Sequence, residues 1–370
     1  MPALSSETIL QFGSGKFLRC FADLFLHQVN AAQAAAERIV VLQSTGAARA
    51  ALFNARHGRF HAAIRGLEAG QVVDQTLEVC SVSRALAVQS DWEAVLDLAR
   101  SESLRTVISN TTEAGYALDP ADASPLAPPR SFPAKLAAVL YARFEAGRPA
   151  LTILPCELLQ GNADRLRALV LEQTLRWALP GALAEWITGA CSWHNTLVDR
   201  IVSAPAPGDP LALGDPLFAV GEPFAFWGID GSPRPSSLLQ HPAVQRVDDL
   251  GPYYLRKVRI LNGAHTALVA KARPLGLTTV RQAVCDERIA PWLERLLFDE
   301  IVPTLLGRTD DPEAFARRTL ERFANPFLEH RLADIALEHE VKVRTRLLPT
   351  CAEYRAKFGH APKLLEEVIA

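Results

Sequence analysis

Apolar positions along this chain alternate between short continuous runs and stretches with helical spacing. Thr8–Phe12 is an apolar run that ends in glycines and predicts a buried strand. Phe17 to Gln33 carries apolar side chains at Phe17, Phe21, Leu24 and Phe25, one helix face, and Arg38–Gln43 predicts the next strand. Strand, glycine turn, helix and strand in this order make a βαβ unit. Phe60–Ser83 alternates and turns at Glu68–Gly70, predicting β structure. Asp91 is the expected cap of a helix through Ala99, and Leu104–Ser109 a buried strand. A loop is expected over Ala121–Arg130, a helix over Phe132–Glu145, a strand over Ala150–Leu154 and a helix over Asn162–Leu179. Ala204–Asp215 and Gly228–Pro242 are rich in proline and glycine and read as loops. Beyond Gly251-Pro252, the segments Tyr253–Lys271, Val280 to Leu306, Pro312–Phe323, Pro326–Glu340 and Lys342–Lys357 all read as helical. The expected fold is α/β: a Rossmann-like, doubly wound sheet in residues 1–247, followed by an all-α C-terminal domain in residues 248–370.

Composition narrows the function. The chain has 370 residues, 49% hydrophobic and 22% charged, which fits roughly two globular domains. A net charge of −2 without a long basic run gives no reason to expect nucleic acid as a partner. No apolar run approaches the length of a membrane span, so no membrane partner is expected. Met1 to Lys16 shows neither the basic start nor the apolar stretch of a secretion signal. The six cysteines are scattered without metal-ligand spacing, so no metal site is expected and the setting is taken as reducing and cytoplasmic. A small-molecule substrate is what remains, and nothing in the sequence sets an oligomeric state.

Two motifs carry the chemistry. The first is the turn Gln11-Phe12-Gly13-Ser14-Gly15-Lys16-Phe17-Leu18-Arg19, between a predicted strand and helix. Gly13 permits a tight turn, and Gly15 lets backbone N–H groups approach a pyrophosphate at the helix start. Leu18 stands where a third glycine is usual. Gln43-Ser44-Thr45 replace the acid that normally reads the ribose, so these residues do not decide between NAD and NADP. Asn110, Thr111 and Thr112 end a later strand at the same sheet edge, as a second cofactor contact or as a local turn. The second motif joins Lys257, Asn262 and His265. At about 100° per residue, the three head groups share one side of a helix. A lysine made less basic by burial would donate a proton to a nascent alkoxide, Asn262 would donate a hydrogen bond to the same oxygen, and His265 would orient. Spacing alone is equally met by a surface lysine beside a satisfied polar pair. Gly263 suggests a close neighbour, either the cofactor or another helix.

The stretches FGSGKFLR, NTTEAGY, PCELLQGNADRLR, NTLVDRIV, KVRILNGAHTAL and RFANP follow one another along nearly the whole chain. Together they resemble the polyol-specific long-chain dehydrogenases, the mannitol dehydrogenase family. That family's Lys-x4-Asn-x2-His signature falls on Lys257, Asn262 and His265. The resemblance implies NAD as cofactor and a hydride transfer at a sugar ketone, with Asn195 and Asp199 near the substrate. Cys156-Glu157-Leu158 stands where mannitol-type and fructuronate-reducing members tend to have Cys-Asp-Asn. Leu158 lacks the donor of that asparagine. The remaining motif details resemble the hexuronate-acting branch. A uronate carboxylate needs a cation, best a bidentate arginine. Arg200, Arg322, Lys342, Arg344 and Arg346 are candidates, with Arg322 and Arg344 favoured. A fructuronate or neutral polyol substrate is the alternative within the family. A non-catalytic nucleotide-binding protein is the alternative outside it, though that would have no need of a proton donor. Family members continue past the residue where this chain stops, so a shorter C-terminal domain is expected.

Overall fold

The computed structural model describes residues 6–33 and 36–369. The chain divides into two compact units. One takes in residues up to Ile64, Gln75–Gly221 and Ala225–Leu250; the other takes in Arg65–Asp74, Glu222–Phe224 and the chain from Gly251 onward.

The first unit is built on a six-stranded sheet in which every pair is parallel. Its order is Val82–Ala87, Glu37–Gln43, Ser6–Phe12, Thr106–Ser109, Thr152–Pro155 and Ser192–Trp193. Ile9, Leu10, Phe12, Val40, Val41, Val107 and Ile108 are fully buried, as expected of central strands covered on both faces. The helices Trp92–Arg100, Phe132–Glu145 and Asn162–Arg176 supply much of that cover. From Ser6–Phe12 the order first runs outward through Glu37–Gln43, then reverses to Thr106–Ser109. The switch point, where ligands bind in such sheets, lies between Ser6–Phe12 and Thr106–Ser109.

Several expected elements are redrawn. The helix expected over Phe17–Gln33 is two, Lys16–Arg19 and Ala22–Gln33, with a break at Cys20. The Cys20 N–H bonds both Lys16 O and Phe17 O, a tightened last turn that re-aims the chain. The expected loops at Ala204–Asp215 and Gly228–Pro242 contain the helix Pro210–Gly214 and much of the strand Phe226–Asp230. That strand pairs antiparallel with Thr196–Asp199 and parallel with Val244–Val247, partners distant in sequence. The Phe60–Glu68 and Gln71–Val79 strands flank Ala69 and Gly70, both at positive φ as a tight hairpin turn requires.

The second unit has a helical core of Ile260, Leu261, Ala264, Leu268, Leu293, Leu297, Phe315 and Leu347. Two hydrogen bonds tie the hairpin tip into it: Glu321 Oε1 accepts from Gly70 N at 2.6 Å, and Asn325 Nδ2 donates to Arg65 O at 3.0 Å. Pro326–Glu340 is largely not helical. The extended backbone there pairs with the Thr278–Val280 stretch through Val280 N–His330 O and Leu332 N–Thr278 O, both 2.9 Å, leaving a short helix at Leu332–Ile335 and the start of another, His339–Lys342. Among the described residues, three helical stretches contain π turns, at Lys257–Asn262, Leu296–Ile301 and Val343–Leu347. The last two precede Pro303 and Pro349, whose rings would clash with the carbonyl four residues back in a regular helix. The first has no proline and spans the Lys257-x4-Asn262 motif.

Candidate active site

In the first unit, Gly13 adopts φ +123°, and a Cβ there would stand 3.0 Å from the Asn110 carbonyl oxygen. Only glycine suits both conditions. Nothing lies within 4 Å of where a Gly15 Cβ would be, so the start of the helix Lys16–Arg19 is open to a ligand's backbone approach. Ser14 is held on two sides, its carbonyl accepting from Arg19 Nη1 at 2.6 Å and its hydroxyl from Arg49 Nη1 at 3.2 Å. Buried Gln11 donates to Gly13 O at 3.1 Å. Phe12 packs edge-on against Phe132, and Phe17 stacks on Phe21. Leu18, in place of the third glycine, is buried with Cδ1 3.5 Å from the Gly13 Cβ position. Lys16 is exposed. The aromatic and leucine side chains therefore shape the turn, while its backbone and Lys16 face outward. Beneath it, burial pushes the Asp23 carboxyl up to about 7 against the opposing pull of Arg19 and Gln11.

Across the switch point, Asn110 N donates to Phe12 O at 3.0 Å, and Asn110 Nδ2 to Cys156 O at 2.8 Å. The buried Glu157 organises this loop. Its Oε1 accepts from Thr111 N at 2.8 Å, and its Oε2 from Ser109 Oγ and Tyr116 OH at 3.0 Å each. Burial raises the Glu157 pKa, and these three donors oppose the rise. Thr112 is exposed.

In the second unit, Lys257–Asn262 forms the π turn, and Gly263–Ala272 continues as α-helix. The turn's i→i+5 bonds span the five residues from Lys257 to Asn262, which puts both on one face. Three α-helical residues then carry His265 through about 300°, within 60° of Asn262. The shared face predicted from a regular helix survives, although the geometry that produces it is different. Lys257 and Asn262 are half-buried and His265 is buried. Gly263 faces another helical segment at ordinary contact distance, with Leu347 Cδ2 3.7 Å from its Cβ position. The Asn262 amide makes no hydrogen bond among the described residues, and buried His265 Nε2 has no partner there. That nitrogen is free to bond a ligand or a water. The His265 ring stacks on Phe323 at 4.2 Å and meets His330 edge-on at 4.8 Å. Burial, then His330, Arg322, Arg346 and Lys342, hold its pKa well below the usual histidine range, so the imidazole is neutral at pH 7.

Residues 7–241 match the sequence model of the mannitol dehydrogenase Rossmann domain, and residues 249–370 that of the mannitol dehydrogenase C-terminal domain. The chain belongs to the mannitol dehydrogenase family. Among its relatives in this family, the altronate oxidoreductase of Bacillus subtilis (strain 168) is 38% identical over 97% of this chain and 77% of its own length. That of Yersinia enterocolitica is 39% identical over 98% of this chain and 78% of its own. The fold is also that of D-sorbitol dehydrogenase in substrate-free form, with TM-score 0.81, 24% identity, and coverage of 94% of this chain and 77% of that one. Pseudomonas fluorescens mannitol 2-dehydrogenase, solved with NAD and D-mannitol, gives TM-score 0.80 and 22% identity over 99% of this chain and 78% of that one. Among the described residues, no helix is long and apolar enough to cross a membrane.

The substrate-side residues are sorted by their partners. Asn195 has a structural role: its Oδ1 accepts from Ala163 N at 2.9 Å at the start of the helix Asn162–Arg176, and its Nδ2 donates to Asp164 and Asp230. Asp199 is buried at the end of the strand Thr196–Asp199. Arg200, beside it, is buried with Nη1 on Cys20 O at 2.8 Å. Arg322 is almost fully buried and clamped by Glu222, with Nη2–Oε1 2.7 Å and Nε–Oε2 2.9 Å, over the Phe224 ring. Its charge is already matched. Arg344 is 67% exposed beside Glu340. Sequence reasoning missed Glu157 and His330 as contributors. An acid two residues beyond the apolar strand Thr152–Pro155 was the available signal for Glu157.

Proposed function

We propose that this chain is an NAD-dependent oxidoreductase that reduces tagaturonate to altronate and runs the reverse reaction. Its 38–39% identity to altronate oxidoreductases over nearly the whole chain supports the substrate. The observation that carries the chemistry is the face shared by Lys257, Asn262 and a buried, neutral His265 with an unpartnered nitrogen. We take residues 1–247 as the cofactor domain and 248–370 as the substrate and catalytic domain. The six cysteines, all free, support a reducing cytoplasmic setting.

The open start of the Lys16–Arg19 helix fits a pyrophosphate. Gly13, Ser14, Gly15 and Lys16 would hold it, flanked by Asn110, Thr111 and Thr112. Bound there, NADH supplies the hydride that the ketone carbon takes up. Lys257 gives its ammonium proton to the oxygen that becomes the alcohol, and Asn262 donates a hydrogen bond to that oxygen as negative charge develops. His265, neutral, fixes an adjacent hydroxyl without competing for the proton. In the reverse direction Lys257, deprotonated, accepts the alcohol proton. Replacing Lys257 by alanine is expected to lower kcat by about 10³-fold with NADH affinity, read by fluorescence titration, within about twofold of the parent. Substantial residual turnover removes Lys257 from this role.

A further inference from the structure

Around His265 the second unit gathers more positive charge than it matches. Arg346 is half-buried, and its Nη1 donates to Thr266 Oγ1 at 3.3 Å; Thr266 in turn donates to Asn262 O at 2.9 Å. The guanidinium therefore rests on the helical turn that carries Asn262 and His265. Other buried arginines of this unit have carboxylates: Arg322 has Glu222, and Arg259 has Glu353 at 3.1 Å. Among the described residues Arg346 is in no ion pair. Lys342 lies four residues earlier, half-buried, and is also without an ion pair; its Nζ donates to the Ile335 carbonyl at 2.9 Å. Burial first, and then the neighbouring Arg346 charge, weaken the Lys342 hold on its proton, and Glu338 opposes them less strongly. Two partly desolvated like charges cost stability unless an anion comes between them.

We propose that Arg346, assisted by Lys342, binds the carboxylate of the substrate and so sets the preference for a uronate over a neutral sugar. The inference rests on the function proposed above. In a uronate ketose the carboxylate and the reacting carbonyl lie at opposite ends of the carbon chain. Its anchor therefore sits beside the Lys257–Asn262–His265 face, as Arg346 does through Thr266, and not on it. Arginine suits the task because its planar fork meets both carboxylate oxygens.

The test compares kcat/KM for tagaturonate with that for tagatose, the same ketose with CH2OH in place of the carboxylate. Altronate is also titrated calorimetrically into the enzyme–NADH complex, where both partners are reduced and no turnover occurs. Arg346→Ala is expected to lower the tagaturonate-to-tagatose ratio by about 30-fold or more and to weaken altronate binding similarly. Arg346→Lys, which keeps the charge and loses the fork, is expected to lower the ratio about tenfold. It serves alone if the alanine variant does not fold. Arg344→Ala is expected to leave the ratio in place. An unchanged ratio in the Arg346 variants, or an equal fall in the Arg344 variant, overturns the assignment. A parent enzyme that shows no preference for tagaturonate and binds no altronate instead overturns the function on which it rests.

Discussion

Glu157 ties the Asn110–Thr112 loop to the sheet, and if that loop flanks the cofactor as proposed, its removal should be felt in both stability and nucleotide affinity. The carboxylate accepts from Thr111 N, Ser109 Oγ and Tyr116 OH at 2.8–3.0 Å in a buried site. In Glu157→Ala the Thr111 N–H loses its acceptor, and a side chain's volume is left empty. An orphaned buried donor costs about 1–3 kcal/mol, and a large-to-alanine truncation about 2–5. With partial relaxation, a loss of about 3–5 kcal/mol is expected, a fall in Tm of roughly 10 °C. The same change frees Asn110–Thr112. If the loop holds its binding geometry about a tenth of the time, the Kd for NADH rises about tenfold. Glu157→Gln is a sharper probe. An amide oxygen can still take the Thr111 N–H, while both hydroxyls can turn to accept from the amide nitrogen. It should cost about 1–2 kcal/mol and leave the NADH Kd within about threefold. Thermal melting and NADH fluorescence titration read both quantities. The reasoning fails if Glu157→Ala melts and binds like the parent, or if the glutamine variant is as damaged as the alanine one.

The remaining predictions concern pH. Asp23 is held up to about 7 in the fold against 3.8 when free, so above pH 4 the folded state keeps a proton that the unfolded chain has released. Its contribution to stability therefore falls as pH rises from about 4 to 7, by up to about 4 kcal/mol, and is flat beyond. Asp23→Asn should flatten that slope and melt higher than the parent at pH 8; an unaltered slope would remove Asp23 from the account. His265 stays neutral because its pKa lies well below the usual value, so kcat/KM should show no His265 ionisation between pH 6 and 8. A limb in that range that vanishes in His265→Asn contradicts this.

Much of the fold was readable because local signals agreed. The central strands are continuous apolar runs. Phe132–Glu145 and Pro312–Phe323 begin and end where expected, since Ser131 and Asp311 cap Ala134 N and Ala314 N and a proline stands at one of the first two positions of each helix. The Thr196–Asp199 and Phe226–Asp230 pair was not readable, because its partners meet only through a long, proline-rich connection. The π turns were equally hidden: a wider turn needs only a small change in apolar spacing. In the site, residue types were legible but their partners were not. Arg322 and Arg346 look alike as sequence, and a carboxylate 100 positions away, Glu222, separates a matched charge from an unmatched one. Asn195 likewise reads as a substrate contact until its amide is seen bonding Ala163, Asp164 and Asp230.

The central claim is most directly tested by following NADH oxidation at 340 nm with the purified chain and equal concentrations of tagaturonate, fructuronate and fructose. The account predicts turnover of tagaturonate with kcat/KM at least about tenfold above that for fructuronate, and little with fructose. Preference for fructose or fructuronate, or NADH binding without turnover of any of the three, contradicts it.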